Sequence, residues 1–388
     1  MGGRSLDPST TVVDLMTALD LPDTAGRWST YVRFVDEDLV EHWAQRFADG
    51  ADVCLIMGIG FDPRMCQGLE LLAAEAPSDA LSVKALDFDS PADSVARESA
   101  AETKKRFESL VDGIDLEFLN ISYRGGVERF ARGSADLFKD LSSFSQSDIV
   151  VDVNALPRSL FFPLIAKLLF LCDEAGDNAP NLHVVAGNAA WIDRLISDQG
   201  LDENAVWLHP FAGSFLLEAD EFLPRVWMPV LGEGDTQAFK RVSELVSPAE
   251  VCPLLPFPSK SPRRGDELFE QYREVLFDQL RSDSGTVIYG DEGNPFQVYR
   301  RLRRSTIKYT EALEPLNGCK VAYSALSSKL VALGVLLVAY EFLDSPTYET
   351  GVAEIGSQSH RLERLVSLDE ARAGTELVGL TLAGDCYR

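Results

Sequence analysis

The chain has 388 residues, 46% of them hydrophobic and 25% charged, with 61 acidic against 36 basic side chains and a formal net charge of −25. That length allows two or three ordinary domains, each able to bury a core without disulfides or metal. The composition is neither that of a disordered chain nor of a fibrous one. The charge balance argues against broad nucleic-acid binding and against attraction to an anionic membrane surface.

Six cysteines, Cys54, Cys66, Cys172, Cys252, Cys319 and Cys386, are scattered with no C-x-x-C pair and read as reduced core thiols. The longest apolar stretch, 330–340, is too short to cross a bilayer, and no secretory signal precedes the polar N-terminus. A cytoplasmic location without membrane contact is the expectation.

Residues 1–36 read as a helical lead-in. From there, short apolar runs alternate with longer helical segments, the pattern of a parallel sheet with crossover helices. Strands are predicted over 52–57, 81–86, 115–121, 148–153 and 182–186, with a weaker one near 205–208. The Ala-, Glu-, Lys- and Arg-rich stretch 92–111 is one of the intervening helices. Pro210, Pro224 and Pro229 bracket a boundary. Beyond it, strands are predicted over 226–231, 250–255, 286–289, 319–323 and 352–355. The expected fold is α/β: two tandem Rossmann-like units, 37–222 and 223–388, each a mostly parallel sheet with helices on both faces.

The units match in more than class. Strand one ends in Gly58-Ile59-Gly60 in the first and in Gly232-Glu233-Gly234 in the second, a spacing of 174 residues. Strand four leads into Ala155-Leu156 and, 170 residues later, into Ala325-Leu326. The shared order and spacing point to an internal duplication.

A Gly-x-Gly at a strand end lets the backbone turn sharply and approach a ligand, and a following helix offers free N–H groups to an anion. Gly58, Gly60, Asp62 and Arg64 form this candidate in the first unit, with Arg64 suited to a bidentate contact with phosphate or carboxylate. Gly232, Gly234 and Asp235 form it in the second. The plainer alternative is a tight strand-to-helix turn with Asp62 as N-cap. The loops after strand four are the second candidate, because strands one and four flank the crevice where strand order reverses. They carry Asn154, Arg158 and Ser159 in one unit and Ser327, Ser328 and Lys329 in the other; ordinary caps and solvated cations would have the same composition. Helices over 160–171 and 330–340 are apolar almost all round and belong in a core.

The basic loop 259–264, with Lys260, Arg263 and Arg264, either folds over an anionic ligand or is a surface connection whose charges answer nearby carboxylates. Asp87 and Asp89 end strand two, where a Rossmann protein places an acid on ribose. Yet Asp87 lies 29 residues after Gly58 and the third glycine is missing, so a dinucleotide fingerprint is not met. His42, His183, His209 and His360 are dispersed, and H-E-x-x-H, P-loop and G-x-S-x-G motifs are absent. His209 is the histidine in the loop of most suggestive composition. Whether the chain is an enzyme stays open, and no metal or cofactor is evident.

On these residues the chain resembles the CRISPR-associated Rossmann fold family of nucleotide sensors and its two-unit relatives in anti-phage signalling. Loop 58–64 resembles that family's loop after strand one; Ser327-Ser328-Lys329-Leu330 followed by Gly334 looks like its Gly-Thr-Lys loop after strand four, from which 154–159 departs. The resemblance implies a recognition subunit for an anionic nucleotide-like ligand, acting with a separate effector protein or as a homodimer. Two alternatives stand beside it. One is an S-adenosylmethionine-dependent methyltransferase, with that cofactor at 57–62 and the acids Asp87 and Asp89. The other is a scaffold that packs on a partner through its apolar helices, without a small ligand.

Overall fold

The computed structural model describes residues 26–77, 79–88, 92–122, 126–216, 223–233 and 236–387. Among them the first half runs β1 (Val32–Val35), α1 (Glu37–Ala48), β2 (Val53–Gly58), α2 (Gln67–Glu75), β3 (Leu81–Phe88), α3 (Ser94–Leu110), β4 (Asp115–Ile121), α4 (Gly126–Ala135), β5 (Asp148–Asp152), α5 (Arg158–Ala175), β6 (Asn181–Asn188), α6 (Ala190–Asp193), β7 (Ile196–Leu201) and β8 (Val206–Trp207). The second half runs β9 (Arg225–Leu231), α7 (Thr236–Val246), β10 (Glu250–Val251), β11 (Leu254–Pro256), α8 (Arg264–Arg273), β12 (Ile288–Gly290), α9 (Pro295–Ala312), β13 (Lys320–Leu326), α10 (Lys329–Glu341), β14 (Glu349–Glu354), β15 (Ser357–Leu362), α11 (Leu368–Ala373) and β16 (Glu376–Ala383).

The α/β class and the two mostly parallel sheets match the expectation. One sheet is ordered β1-β16-β6-β5-β2-β3-β4 and the other β12-β11-β9-β13-β14-β8. Within each, the five parallel strands follow the same order, 3-2-1-4-5 in the numbering of their own half, so strands one and four are neighbours in both. Met57 faces Asp152 in one sheet and Leu231 faces Leu326 in the other, so both central pairs repeat at a spacing of 174. The helices that follow start at Arg158 and Lys329, 171 residues apart; the loop after strand four is three residues longer in the first half.

Central strands are apolar on both faces because both faces are covered. In β2, Cys54 and Ile56 join the large shared core, while Val53, Leu55 and Met57 pack with Leu39, Trp43, Leu69 and Leu72 of α1 and α2. In β9, Val226, Met228 and Val230 enter the same shared core, and Trp227 and Leu231 face α7 and α8. The shared core holds α4, α5, α9 and α10 between the sheets, giving five layers from helices to sheet to helices to sheet to helices. The apolar helices foreseen from the sequence are α5 and α10, buried along nearly their whole length.

The division of the chain is corrected in three places. The lead-in expected over 1–36 lies mostly outside the described residues, and its end is the strand β1, not helix. The last strand of each half pairs antiparallel with the fifth strand of the other half: β16 with β6, and β8 with β14. A contiguous cut near residue 222 therefore does not separate the sheets. Finally, β7 and β15, one from each half, pair antiparallel as a two-stranded sheet of their own.

Candidate functional site

Strand ends from both sheets open on one cavity of about 600 Å³. Its walls include Gly60, Phe61 and Asp62 after β2, Pro157, Arg158 and Ser159 at the start of α5, and Ser327, Ser328 and Lys329 at the start of α10. The paired strands β7 and β15 form its roof through Ile196, Asp198, Gln358 and His360 among others. Phe88 adds partly exposed aromatic surface; Phe130 and Tyr272, also at the lining, are buried.

Two helix N-termini thus meet at one cavity. Arg158 and Lys329 are each the first residue of their helix. In α10 the Ser328 hydroxyl accepts the Val331 N–H at 3.4 Å; α5 starts after Pro157, which offers no side-chain cap. The first turn of a helix carries unsatisfied N–H groups and the positive end of its dipole, so both helices turn partial positive charge toward the same space.

The cations beside them are already paired, and the bonds cross between halves. Arg158 Nε donates to Glu354 Oε2 at 3.2 Å and Nη1 to the Ser327 carbonyl at 3.4 Å. Lys329 Nζ donates to Asp62 Oδ2 at 3.4 Å and to the Asn154 carbonyl. Burial pushes the Glu354 carboxyl up despite Arg158. Burial would raise Asp62 as well, but Arg64 and Lys329 beside it hold its carboxyl down at about 2. The Lys329 ammonium is pushed down by burial, against the pull of Asp62. Charges around the cavity nearly cancel: Asp62, Asp193, Asp198, Glu233 and Glu354 stand against Arg64, Arg158, Arg194 and Lys329. Any attraction for an anion comes from the helix ends rather than from a positive field.

The remaining candidates divide clearly. Arg64, expected to reach a ligand, is turned inward: its Nε and Nη2 bond Asp62 at 2.9 and 2.8 Å, and Nη1 pairs with Asp193 at 2.9 Å. Asp62 shapes this turn rather than capping a helix, since α2 begins only at Gln67. Gly58 and Gly232 serve close packing: a Cβ on Gly58 would lie 2.6 Å from Leu156 Cδ2, and one on Gly232 would lie 2.6 Å from Ser327 Cα. Asn154 is buried, its Oδ1 accepting the Gly187 N–H at 2.6 Å and its own N–H donating to Asp152 at 2.8 Å. Burial, with Asp62 nearby, pushes the Asp152 carboxyl up to about 7. Gly234, Asp235 and Asp89 lie outside the described residues, and Asp87 is exposed and away from the cavity lining.

The basic loop 259–264 does not line the cavity. Lys260 pairs with Glu376 at 3.3 Å, and Arg264 lies between Glu233 and Glu292. Five cysteines are buried thiols and Cys386 is exposed. No helix among the described residues is long and apolar enough to cross a membrane.

Sequence reasoning missed the roof. His360 and Asp198 are direct partners across the β15–β7 ladder, with Nδ1 of the imidazole 2.9 Å from Asp198 Oδ1. The Ser357 hydroxyl donates to the same carboxylate oxygen at 3.0 Å. His209, singled out from its loop, is not among the cavity residues, and His360 is the one histidine that is, among the described residues.

No family model and no curated protein matches the sequence. Among solved structures the chain is similar to a protein assigned as a universal stress protein from Pseudomonas aeruginosa UCBPP-PA14, at 12% identity over 84% of this chain and 96% of that one, with a TM-score of 0.20. It is likewise similar to a universal stress protein from Archaeoglobus fulgidus DSM 4304, at 10% identity over 80% and 96%, with a TM-score of 0.21. Similarity this slight assigns neither a family nor a ligand.

Proposed function

We propose that this protein recognises a small anionic, nucleotide-like ligand seated between the N-termini of α5 and α10. The observation that supports this reading is the convergence of two buried helices, one from each half, on a single cavity of about 600 Å³. Helix N-termini are ready-made anion sites. The volume falls within the ordinary range for small-ligand pockets, and the partly exposed Phe61 and Phe88 offer surface for a base. An arriving phosphate would share or replace Glu354 and Asp62 as partners of Arg158 and Lys329. Signalling in anti-phage defence with a separate effector, or as a homodimer, is the context that the sequence resemblance supplies. The methyltransferase alternative has less support, because Asp87 faces solvent away from the cavity.

Thermal unfolding in the presence of mononucleotides, cyclic dinucleotides and trinucleotides, inorganic phosphate and S-adenosylmethionine tests the reading. A ligand at a hundred times its Kd stabilises the native state by about 2.7 kcal/mol. Ser328→Asp is the informative variant: aspartate caps a helix as well as serine, so the unliganded protein keeps its stability, while the added charge repels an anion. Stabilisation by nucleotides in the parent and its loss in Ser328→Asp are expected. Stabilisation by S-adenosylmethionine alone, or a nucleotide shift untouched by Ser328→Asp, refutes the proposal.

A further inference from the structure

We infer that the cavity takes up a proton when it takes up its anion, and that the proton goes to Asp152, a buried carboxyl behind the cavity wall. The inference rests on the reading of the cavity as a phosphate seat and adds its regulation: a more acidic medium tightens binding. The charges behind the seat do not balance. Asp62, Asp152 and Asp193 stand against Arg64 and Lys329, three carboxyls to two cations. The cations are also unevenly shared. Arg64 holds Asp62 at 2.8 Å and Asp193 at 2.9 Å, and Lys329 lies 3.4 Å from Asp62. Asp152, 1% exposed, forms no ion pair among the described residues and is met by the backbone N–H groups of Asn154, at 2.8 Å, and Gly68. It is therefore the carboxyl of the three that holds a proton most readily, in keeping with its rise to about 7. The other elements packed on it supply no counter-charge. From α2 come the Cys66 thiol, neutral because burial pushes it up to about 12, and Glu70, which is taken by Arg106 and Arg372. On the flanking strands, Met57 of β2 and Val185 of β6 stand opposite it.

An anion seated at the start of α10 adds negative charge to this cluster and engages Lys329, which in its absence bonds Asp62 and the Asn154 carbonyl. Both changes disfavour a third ionised carboxyl, and Asp152 is the one without a cation of its own. It binds a proton from the solvent as the anion arrives, and no covalent bond of the ligand changes. Below about pH 7 the carboxyl is already protonated, so affinity there is level. Above it each binding event must bring a proton, and affinity falls as pH rises.

The probes are diadenosine monophosphate (ApA) and cyclic diadenylate, diesters that do not titrate near neutrality. Calorimetric titration at pH 7.5 in two buffers of different ionisation enthalpy counts the protons. The parent should take up as much as about three-quarters of a proton, the share of Asp152 ionised at that pH, and its Kd should rise up to about tenfold between pH 7 and pH 8.5. Asp152→Asn keeps the shape of the side chain and an acceptor for the Asn154 N–H; it should bind both probes with no uptake and a level pH dependence. Infrared difference spectra of the unliganded parent, which do not depend on the variant folding, should show a protonated carboxyl that titrates between pH 6 and pH 8. Binding without uptake, uptake that survives in Asp152→Asn, or no carboxyl titrating in that range overturns the coupling and leaves the binding function standing. If neither probe binds, the seat itself is wrong and the coupling falls with it.

Discussion

Arg158→Ala removes one of the cations that reach across from one half to the other. Its partner Glu354 keeps only 4% of its side chain exposed, and Arg158 itself 25%. Breaking a buried pair from one side costs about 3–5 kcal/mol, because the remaining charge is left without compensation. Water reaching the partly exposed arginine position lowers this to about 2–4 kcal/mol. The pH dependence has a definite sign. Burial already raises the Glu354 carboxyl, and without the arginine it rises further. A raised carboxyl favours the folded state below the unfolded glutamate value of about 4.3, and that contribution disappears as pH climbs through the folded value. The deficit of Arg158→Ala should therefore be largest near pH 8 and shrink toward pH 5. Urea unfolding followed by the fluorescence of the buried Trp28 and Trp227 measures it. Glu354→Gln and the double variant complete a cycle whose coupling should be about 1 kcal/mol or more. A loss that is the same at both pH values, or single effects that simply add, would refute the pairing.

Gly232→Ala should cost about 1–3 kcal/mol, since its Cβ would lie 2.6 Å from Ser327 Cα and 3.1 Å from the Leu326 carbonyl oxygen, forcing main chain at the start of α10 to move. Its counterpart Gly58→Ala should cost less, because the nearest atom is the far end of the Leu156 side chain; the reverse order in urea unfolding contradicts this packing account. His42 stacks on Phe34 at 4.1 Å, and burial, with His183 and Arg46 nearby, holds its imidazole down at about 4. Stability from this neutral ring is complete above the unfolded value of about 6.5 and is lost as pH falls through about 4, a term of at most about 3 kcal/mol. His42→Phe should flatten the pH dependence of unfolding between those values, and an unchanged slope sinks the assignment.

Central strands were legible because burial on both faces leaves an uninterrupted apolar run, as in Val53 to Met57 and Val226 to Leu231. The crevice followed from strand order, and Gly60, Asp62, Arg158, Ser159, Ser327, Ser328 and Lys329 do meet there. The roof was not legible: Ser197-Asp198-Gln199-Gly200 and Ser357-Gln358-Ser359-His360 alternate no apolar side chains, and each becomes a strand only because the other is present. Partners far along the chain were equally invisible, such as Glu354, 196 residues from Arg158. Arg64 lies at the cavity as expected, but its neighbour Asp62 and the distant Asp193 already take up the guanidinium, a pairing the sequence did not reveal. The weaker strand expected near 205–208 is β8, whereas β16 was missed for a related reason: it finds its place against Val185 and Ala186, across nearly half the chain.

The exchange of β8 and β16 has a consequence for any attempt to take the molecule apart. Proteolysis between the halves would yield two fragments that each carry a strand belonging to the other, and β6 and β14 would be left with bare hydrogen-bonding edges. Such fragments would aggregate alone and be rescued by mixing, in the manner of a split reporter, and a molecule bound in the shared cavity would act as the clasp that keeps the nicked protein whole.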